Sequence, residues 1–102
     1  MKNYRTKSVE MLINAMAKFN SPDEVYAFLD DLCTIKEIQD MAQRFETAIL
    51  LAEGKSYQKI AETVGVSTAT ISRVNRGLNY GNGGYEAAIK SISNKGEKNA
   101  NK

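Results

Sequence analysis

Apolar residues recur along this chain at the spacing of helix faces, and no stretch alternates apolar and polar residues as a half-buried strand would. The first stripe follows i, i+3, i+4 and i+7 and consists of Val9, Leu12, Ile13 and Met16. It predicts a helix over residues 8–19. The same pattern returns after the single proline at Val25, Phe28, Leu29 and Leu32, which predicts a second helix.

Polar residues predict where the next helices begin. Asn20 or Ser21 can cap the second helix, with Pro22 at its first position, where a missing N–H costs nothing. Thr34 and Glu37 have the spacing of a capping box, which begins a long third helix. We expect that helix to end at Gly54 in a left-handed C-cap. Its apolar face is so wide that neighbours must cover several sides, and a second subunit could supply them.

Residues 57–76 have the pattern of a helix-turn-helix, with helices predicted over residues 57–64 and 68–76. Apolar residues stand where the two helices meet and dock: Ile60, Val64, Val66, Ile71 and Val74. Ala61 is small where the second helix passes, Gly65 suits a left-handed turn, and Ser67 is a natural N-cap. The alternative is an ordinary helical hairpin within a bundle.

The outward positions of the second helix are small, hydroxylated or basic, and none is acidic. Such a helix can lie deep in a DNA major groove, where methyl groups and hydroxyls meet base edges and arginine reaches guanine or phosphate. The predicted DNA-binding residues are Ser67, Thr68, Ala69, Thr70, Ser72, Arg73, Arg76 and Lys59. The alternative is a solvated helix face, although such faces usually mix both signs of charge.

Composition limits the other functions. The 102 residues suffice for one domain near the lower size limit of a self-sufficient core. A lone Cys33, no histidine and no long apolar stretch predict a cytoplasmic protein without disulfide, metal site, signal peptide or membrane span. We also expect no catalytic activity. The net charge of +2 hides a sharp division: residues 1–8 and 54–80 each carry +3, and residues 9–53 carry −6. Positive charge is therefore concentrated where it could neutralise phosphates.

The C-terminal part is less regular. Gly81–Gly84 follows a helix rather than a strand, so we interpret residues 79–84 as a flexible loop and not as a phosphate-binding loop. Tyr80 and Tyr85 flank it and could pack on the core or touch DNA backbone; we expect packing. A last helix is predicted over residues 85–92. The resulting organisation is a basic arm over residues 1–7, a helical domain over residues 8–92, and a disordered tail over residues 93–102.

From about Val9 to Ile92 the chain resembles the Trp-repressor superfamily, and within it the TrpR-like YerC/YecD family. The clearest runs are residues 32–37, the long helix through Arg44 to Gly54, and residues 69–73. The resemblance implies an all-α fold of six helices and an intertwined homodimer. It also implies that Thr68, Ala69, Thr70 and Ser72 face base edges, with Ser67 and Arg76 beside backbone-contacting positions.

The resemblance also implies an effector pocket. Thr34, Arg44 and Arg73 match the ligand-binding threonine and two arginines of the family's tryptophan-sensing member. That member has a glycine at the next position, and this chain has Val74. Because a branched side chain there fills part of the pocket, we expect no tryptophan corepressor. Arg44 and Arg73 could serve phosphates instead, and the sequence identifies no other effector.

These patterns predict a homodimeric, sequence-specific regulator of transcription, most simply a repressor, whose partners are double-stranded DNA and a second copy of itself. Two alternatives remain open. One is a protein-interaction adaptor on a helix-turn-helix scaffold, and the other is the DNA-recognition subunit of a transposase-like assembly.

Overall fold

The computed structural model describes residues 4–100, and side chains over residues 4–93. All regular structure in this range is helical. The helices are α1 (Lys7–Met16), α2 (Pro22–Leu32), α3 (Ile35–Ala52), α4 (Tyr57–Val64), α5 (Thr68–Tyr80) and α6 (Gly84–Ala100). The six helices confirm the predicted all-α fold. Within the described residues, no helix combines the length and apolar character needed to cross a membrane.

The chain divides into two compact units, which we call the N-terminal unit (Met1–Ile38) and the C-terminal unit (Gln39–Lys102). The N-terminal unit contains α1, α2 and the first turn of α3. The C-terminal unit contains the rest of α3 together with α4, α5 and α6.

Side-chain caps fix the helix starts of the N-terminal unit. The hydroxyl of Ser21 accepts the backbone N–H of Glu24 at 3.3 Å, and Pro22 occupies the first helical turn as predicted. The Thr34–Glu37 capping box is confirmed, because the Glu37 N–H donates to Thr34 Oγ1 at 3.1 Å and the Thr34 N–H donates to Glu37 Oε1 at 2.8 Å. Both orphan amides of that helix start are thus satisfied reciprocally.

The apolar residues of the N-terminal unit remain largely accessible to solvent. Neither α1 nor α2 contains a buried residue. Ile35, Tyr26 and Met11 are 75%, 68% and 65% exposed. A groove of about 390 Å³ between apolar side chains of α2 and Ile38 is lined by Pro22, Val25, Tyr26, Leu29, Asp30 and Ile38.

The C-terminal unit contains the buried core. The fully buried side chains among the described residues come from α3, α4 and α5: Thr47, Ala48, Ile60, Ile71 and Val74. The one polar member is satisfied, since Thr47 Oγ1 donates to the carbonyl of Gln43 at 2.8 Å. The small Ala48 and the branched residues thus form a buried centre to which α3, α4 and α5 each contribute.

The turn between α4 and α5 has the predicted geometry. Gly65 ends α4 with φ of 83° and ψ of 30°, a left-handed conformation that costs glycine little. Its N–H donates to the carbonyl of Ala61 at 2.9 Å. Ser67 follows as the N-cap of α5. The turn therefore closes over three residues, and both predicted helix boundaries at this turn are confirmed.

Three boundaries differ from the sequence prediction. Helix α1 ends at Met16 rather than Phe19, because the backbone N–H groups of Lys18 and Phe19 donate to carbonyls three residues earlier instead of four. The Phe19 ring packs edge-on against the Phe28 ring, with 5.3 Å between the ring centroids. Helix α5 includes Asn79 and Tyr80, for which the sequence predicts a loop. Helix α6 continues to Ala100, where we expected disorder from residue 93. A polar segment can extend an existing helix because propagation needs no new nucleus. Residues 101–102 of the predicted tail and residues 1–3 of the arm lie outside the described residues.

Candidate nucleic-acid interface

The first turn of α5 is held by its N-cap. Ser67 Oγ accepts the backbone N–H of Thr70 at 3.1 Å and lies 3.1 Å from Thr70 Oγ1. Helix α4 starts in the same way, with Ser56 Oγ accepting the N–H of Lys59 at 3.1 Å. Each cap satisfies an amide that the helix itself leaves unpaired, so both short helices have defined starts.

The structure places most of the predicted DNA-binding residues at the surface. The exposed ones are Lys59, Ser67, Thr68, Ala69, Ser72, Arg73 and Arg76. Thr70 differs, because it is only half-exposed and its hydroxyl already faces Ser67. Helix α5 contains no acidic residue, so its outer face offers methyl groups, hydroxyls and two guanidinium groups. This chemistry suits the acceptor-rich and methyl-bearing floor of a major groove.

A shallow depression beside the first turn of α5 brings Arg44 into this region. Its volume is about 210 Å³, and its lining residues are Asp40, Gln43, Arg44, Val66 and Thr70. Arg44 is exposed, and Arg73 is not among the lining residues. The depression therefore joins one arginine of α3 to the turn and first residues of the helix-turn-helix. The sequence singles out Arg44, but no pattern in it indicates that Gln43 would line the same depression as Thr70.

The remaining residues of the expected effector pocket have structural roles of their own. Thr34 belongs to the N-terminal unit, where its hydroxyl caps α3. Val74 is 1% exposed and lies in the core with Ile60 and Ile71. Its side chain is buried among these residues, and the expectation that it fills part of an effector pocket stays a prediction.

The two tyrosines around the glycine segment have different surroundings. A Cβ added to Gly77 would lie 3.3 Å from Cε2 of the Tyr85 ring, so Tyr85 packs closely against α5, as expected. Tyr80 does not pack, because 86% of it is exposed. The sequence could not predict which tyrosine packs and which is exposed, since both are next to a glycine and both lie at helix ends.

Other chemistry is sparse in the part of the chain that the structure describes. No three His, Cys, Asp or Glu side chains come together there as a candidate metal site. Cys33 is a free thiol and is half-buried.

The fold and the site define an all-helical protein that presents a capped, carboxylate-free helix on a small buried core, a surface suited to a DNA-binding regulator. The chain belongs to the Trp repressor family: the family model described as "Trp repressor protein" matches residues 7–93. This confirms the family inferred from the sequence.

Individual relatives agree with this assignment. The chain is 51% identical over 88 residues to the uncharacterized protein YerC of Bacillus subtilis, covering 86% of this chain and 85% of YerC. A crystal structure of a TrpR-like protein from Eubacterium eligens superposes with a TM-score of 0.83 at 49% identity, covering 87% of this chain and 92% of that one. A candidate Trp repressor from Staphylococcus aureus has a TM-score of 0.82 at 38% identity, covering 87% and 89%.

Proposed function

We propose that this protein is a sequence-specific DNA-binding regulator of transcription, acting as a repressor, that inserts α5 into the major groove. The observation that carries the proposal is the outer face of α5. It is exposed, free of carboxylates and rich in small hydroxyl and methyl groups, and its inner face is anchored in the core through Ile71 and Val74. A rigid helix with this surface can approach base edges closely without repelling phosphates.

The exposed residues divide by position into two roles. Thr68, Ala69 and Ser72 lie in the first turns, which meet base edges in helix-turn-helix proteins. Arg73 can reach guanine or phosphate, and Arg76 follows one turn later. Ser67 and Lys59 stand at the N-terminal sides of the two helices, where contacts to phosphates fix the register of the protein on DNA. Arg44, beside Thr70, adds a further cation for the backbone.

A homodimer is part of the proposal. The unburied apolar residues of α1, α2 and the start of α3 support it, since monomeric proteins seldom leave large contiguous apolar surfaces in water. Two copies related by a two-fold axis would read two half-sites about 34–36 Å apart. The burial of Val74 supports the absence of a tryptophan corepressor.

The test is selection of bound duplexes from a random DNA library with the purified protein, followed by affinity measurements on the recovered sequence. We expect a sequence with two related half-sites about one helical turn apart. Arg73→Ala should weaken binding about 5- to 150-fold if the arginine reads a base, and it should relax the preference at that base. Lys90→Ala is the matched control, because Lys90 is also exposed and cationic but lies on α6.

Two outcomes would count against the proposal. If no sequence is enriched, or if Arg73→Ala and Lys90→Ala behave alike, α5 is not the reading surface. Phosphate contacts weaken steeply as the salt concentration rises. Binding to a partner protein with an affinity that does not change with salt concentration would therefore indicate the adaptor function instead. Recovery of the protein only within a larger DNA-processing complex would favour the transposase-like assembly.

A further inference from the structure

The last turn of α5 displays a large aromatic residue that nothing in the described part of its own unit covers. Tyr80 is 86% exposed at the end of the helix, whereas Tyr85, five residues later, packs against Gly77. An aromatic ring with a hydrogen-bonding hydroxyl is well suited to an interface in which one end is apolar and the other polar.

Tyr80 lies on the same side of α5 as Ala69 and Arg73, two of the proposed DNA-reading residues. At about 100° per residue, positions 69, 73 and 80 fall within about 40° of one another around the helix axis, and Arg76 stands close beside them. At about 1.5 Å per residue, Tyr80 is about 16 Å along the axis from Ala69 and about 6 Å from Arg76. The exposed stripe therefore continues past the arginines to the end of the helix.

The backbone under Tyr80 is well defined. Asn79 Nδ2 donates to the carbonyl of Asn75 at 3.0 Å and to Asn75 Oδ1 at 2.9 Å. The N–H of Gly81 donates to the carbonyl of Gly77 at 3.0 Å and completes the last turn. Since these three bonds involve the residues on either side of Tyr80, its side chain projects from a regular helix and not from a loose connector.

We propose that Tyr80 is a positioning contact to the DNA backbone, with its hydroxyl donating to a phosphate that flanks the bases read by the first turns of α5. The inference rests on the proposed function. The major groove is about 8.5 Å deep and 12 Å wide, so a residue about 16 Å along the helix from the base-reading turn meets the sugar–phosphate wall and not a base edge. The ring packs on deoxyribose while the hydroxyl reaches the phosphate oxygen.

A neutral donor has a signature that distinguishes it from an arginine. Tyr80→Phe removes only the hydroxyl, so we expect about 3- to 10-fold weaker binding, by the same factor on selected and unrelated DNA, since phosphates carry no sequence. The dependence of log K on log salt should keep its slope, because no charge is lost. Arg76→Ala should reduce the magnitude of that slope by about 0.9 if its guanidinium neutralises one phosphate.

Fluorotyrosine labelling provides a direct readout on the full chain. In ¹⁹F NMR, the Tyr80 resonance should shift on titration with the selected duplex, while that of Tyr26, 68% exposed on α2, should not. Resonances are assigned with Tyr80→Phe and Tyr26→Phe. Tyr85→Phe is the affinity control: its ring packs against Gly77, so loss of its hydroxyl should leave DNA binding unchanged.

Three other results would contradict the proposed contact between Tyr80 and phosphate, and each has a different meaning. If Tyr80→Phe binds normally and its resonance is silent while Arg73→Ala still weakens binding, the proposed function stands and this contact does not exist. If the Tyr80 resonance shifts with protein concentration in the absence of DNA, the residue belongs to a contact between protein copies. If the wild-type protein binds no duplex at all, the proposed function fails and the contact fails with it.

Discussion

Replacing Val74 by alanine tests whether this residue belongs to the core rather than to the rim of a ligand pocket. Val74 is 1% exposed, so the change removes two buried carbon atoms. At about 0.8 kcal/mol per buried carbon, the loss is about 1.6 kcal/mol, to which a residual cavity adds. Alanine recovers about 0.5 kcal/mol as the better helix former. We therefore expect a net loss of about 1–2 kcal/mol in the free energy of unfolding.

Thermal unfolding at fixed protein concentration is the assay, because the melting temperature of an oligomer depends on concentration. A loss of this size lowers Tm by about 4–16 °C in a domain of this length. Ile71→Val is the matched control: Ile71 is also fully buried on α5, and removal of one methylene there costs about 0.5–1.5 kcal/mol.

The same experiment includes tryptophan. Because Val74 fills buried space, we expect no change in the Tm of the wild-type protein at millimolar tryptophan. A ligand at 100 times its dissociation constant would add about 2.7 kcal/mol and would be obvious. Stabilisation of the wild-type protein at sub-millimolar tryptophan would refute the reasoning, as would a Val74→Ala protein as stable as the wild type.

Two further predictions concern the ends of α4 and α5. Ser56→Ala should cost about 1 kcal/mol, because its hydroxyl accepts one backbone N–H at 3.1 Å. Ser67→Ala should lower Tm further, because the Ser67 hydroxyl accepts such an N–H and also donates to Thr70 Oγ1 at 3.1 Å; a smaller loss than for Ser56→Ala would contradict this account of the two caps. Gly81→Ala should lower the free energy of unfolding by about 1–3 kcal/mol in the same assay, because its Cβ would collide with the carbonyl oxygen of Gly77. Gly84→Ala should not lower Tm, because a Cβ at that position would meet open space. The reverse order of melting temperatures would show that the end of α5 is built differently.

Local chemistry made the helix starts predictable. Each predicted cap satisfies a backbone amide no more than three residues away, as seen for Ser21, the Thr34–Glu37 pair and Ser67. A few neighbouring residues of the sequence therefore suffice to predict these caps. Gly65 was predictable for the same reason, because a left-handed residue closes a short turn. The all-helical fold follows from many such local signals that agree with one another.

What the sequence missed depends on bonds and contacts that a periodic pattern does not contain. Asn79 looked like a loop residue, yet its amide bonds back to Asn75 and keeps the last turn of α5 helical. Thr70 stays a predicted DNA-binding residue, but spacing alone did not show that its hydroxyl lies beside Ser67 Oγ or that it lines a depression with Arg44. Spacing predicts the face on which a residue lies, but not the neighbour that another helix brings there.

The distribution of burial connects the fold to the proposed function. The C-terminal unit contains all the fully buried side chains of the described residues and supports α5 through them, while the N-terminal unit, with an equally regular apolar stripe, leaves Met11, Tyr26 and Ile35 more than half exposed. If a second copy covers those residues, as proposed, association removes this apolar surface from water. Polar substitutions among them should therefore weaken association. They should also lower the affinity for a duplex with two half-sites without changing any DNA-contacting residue.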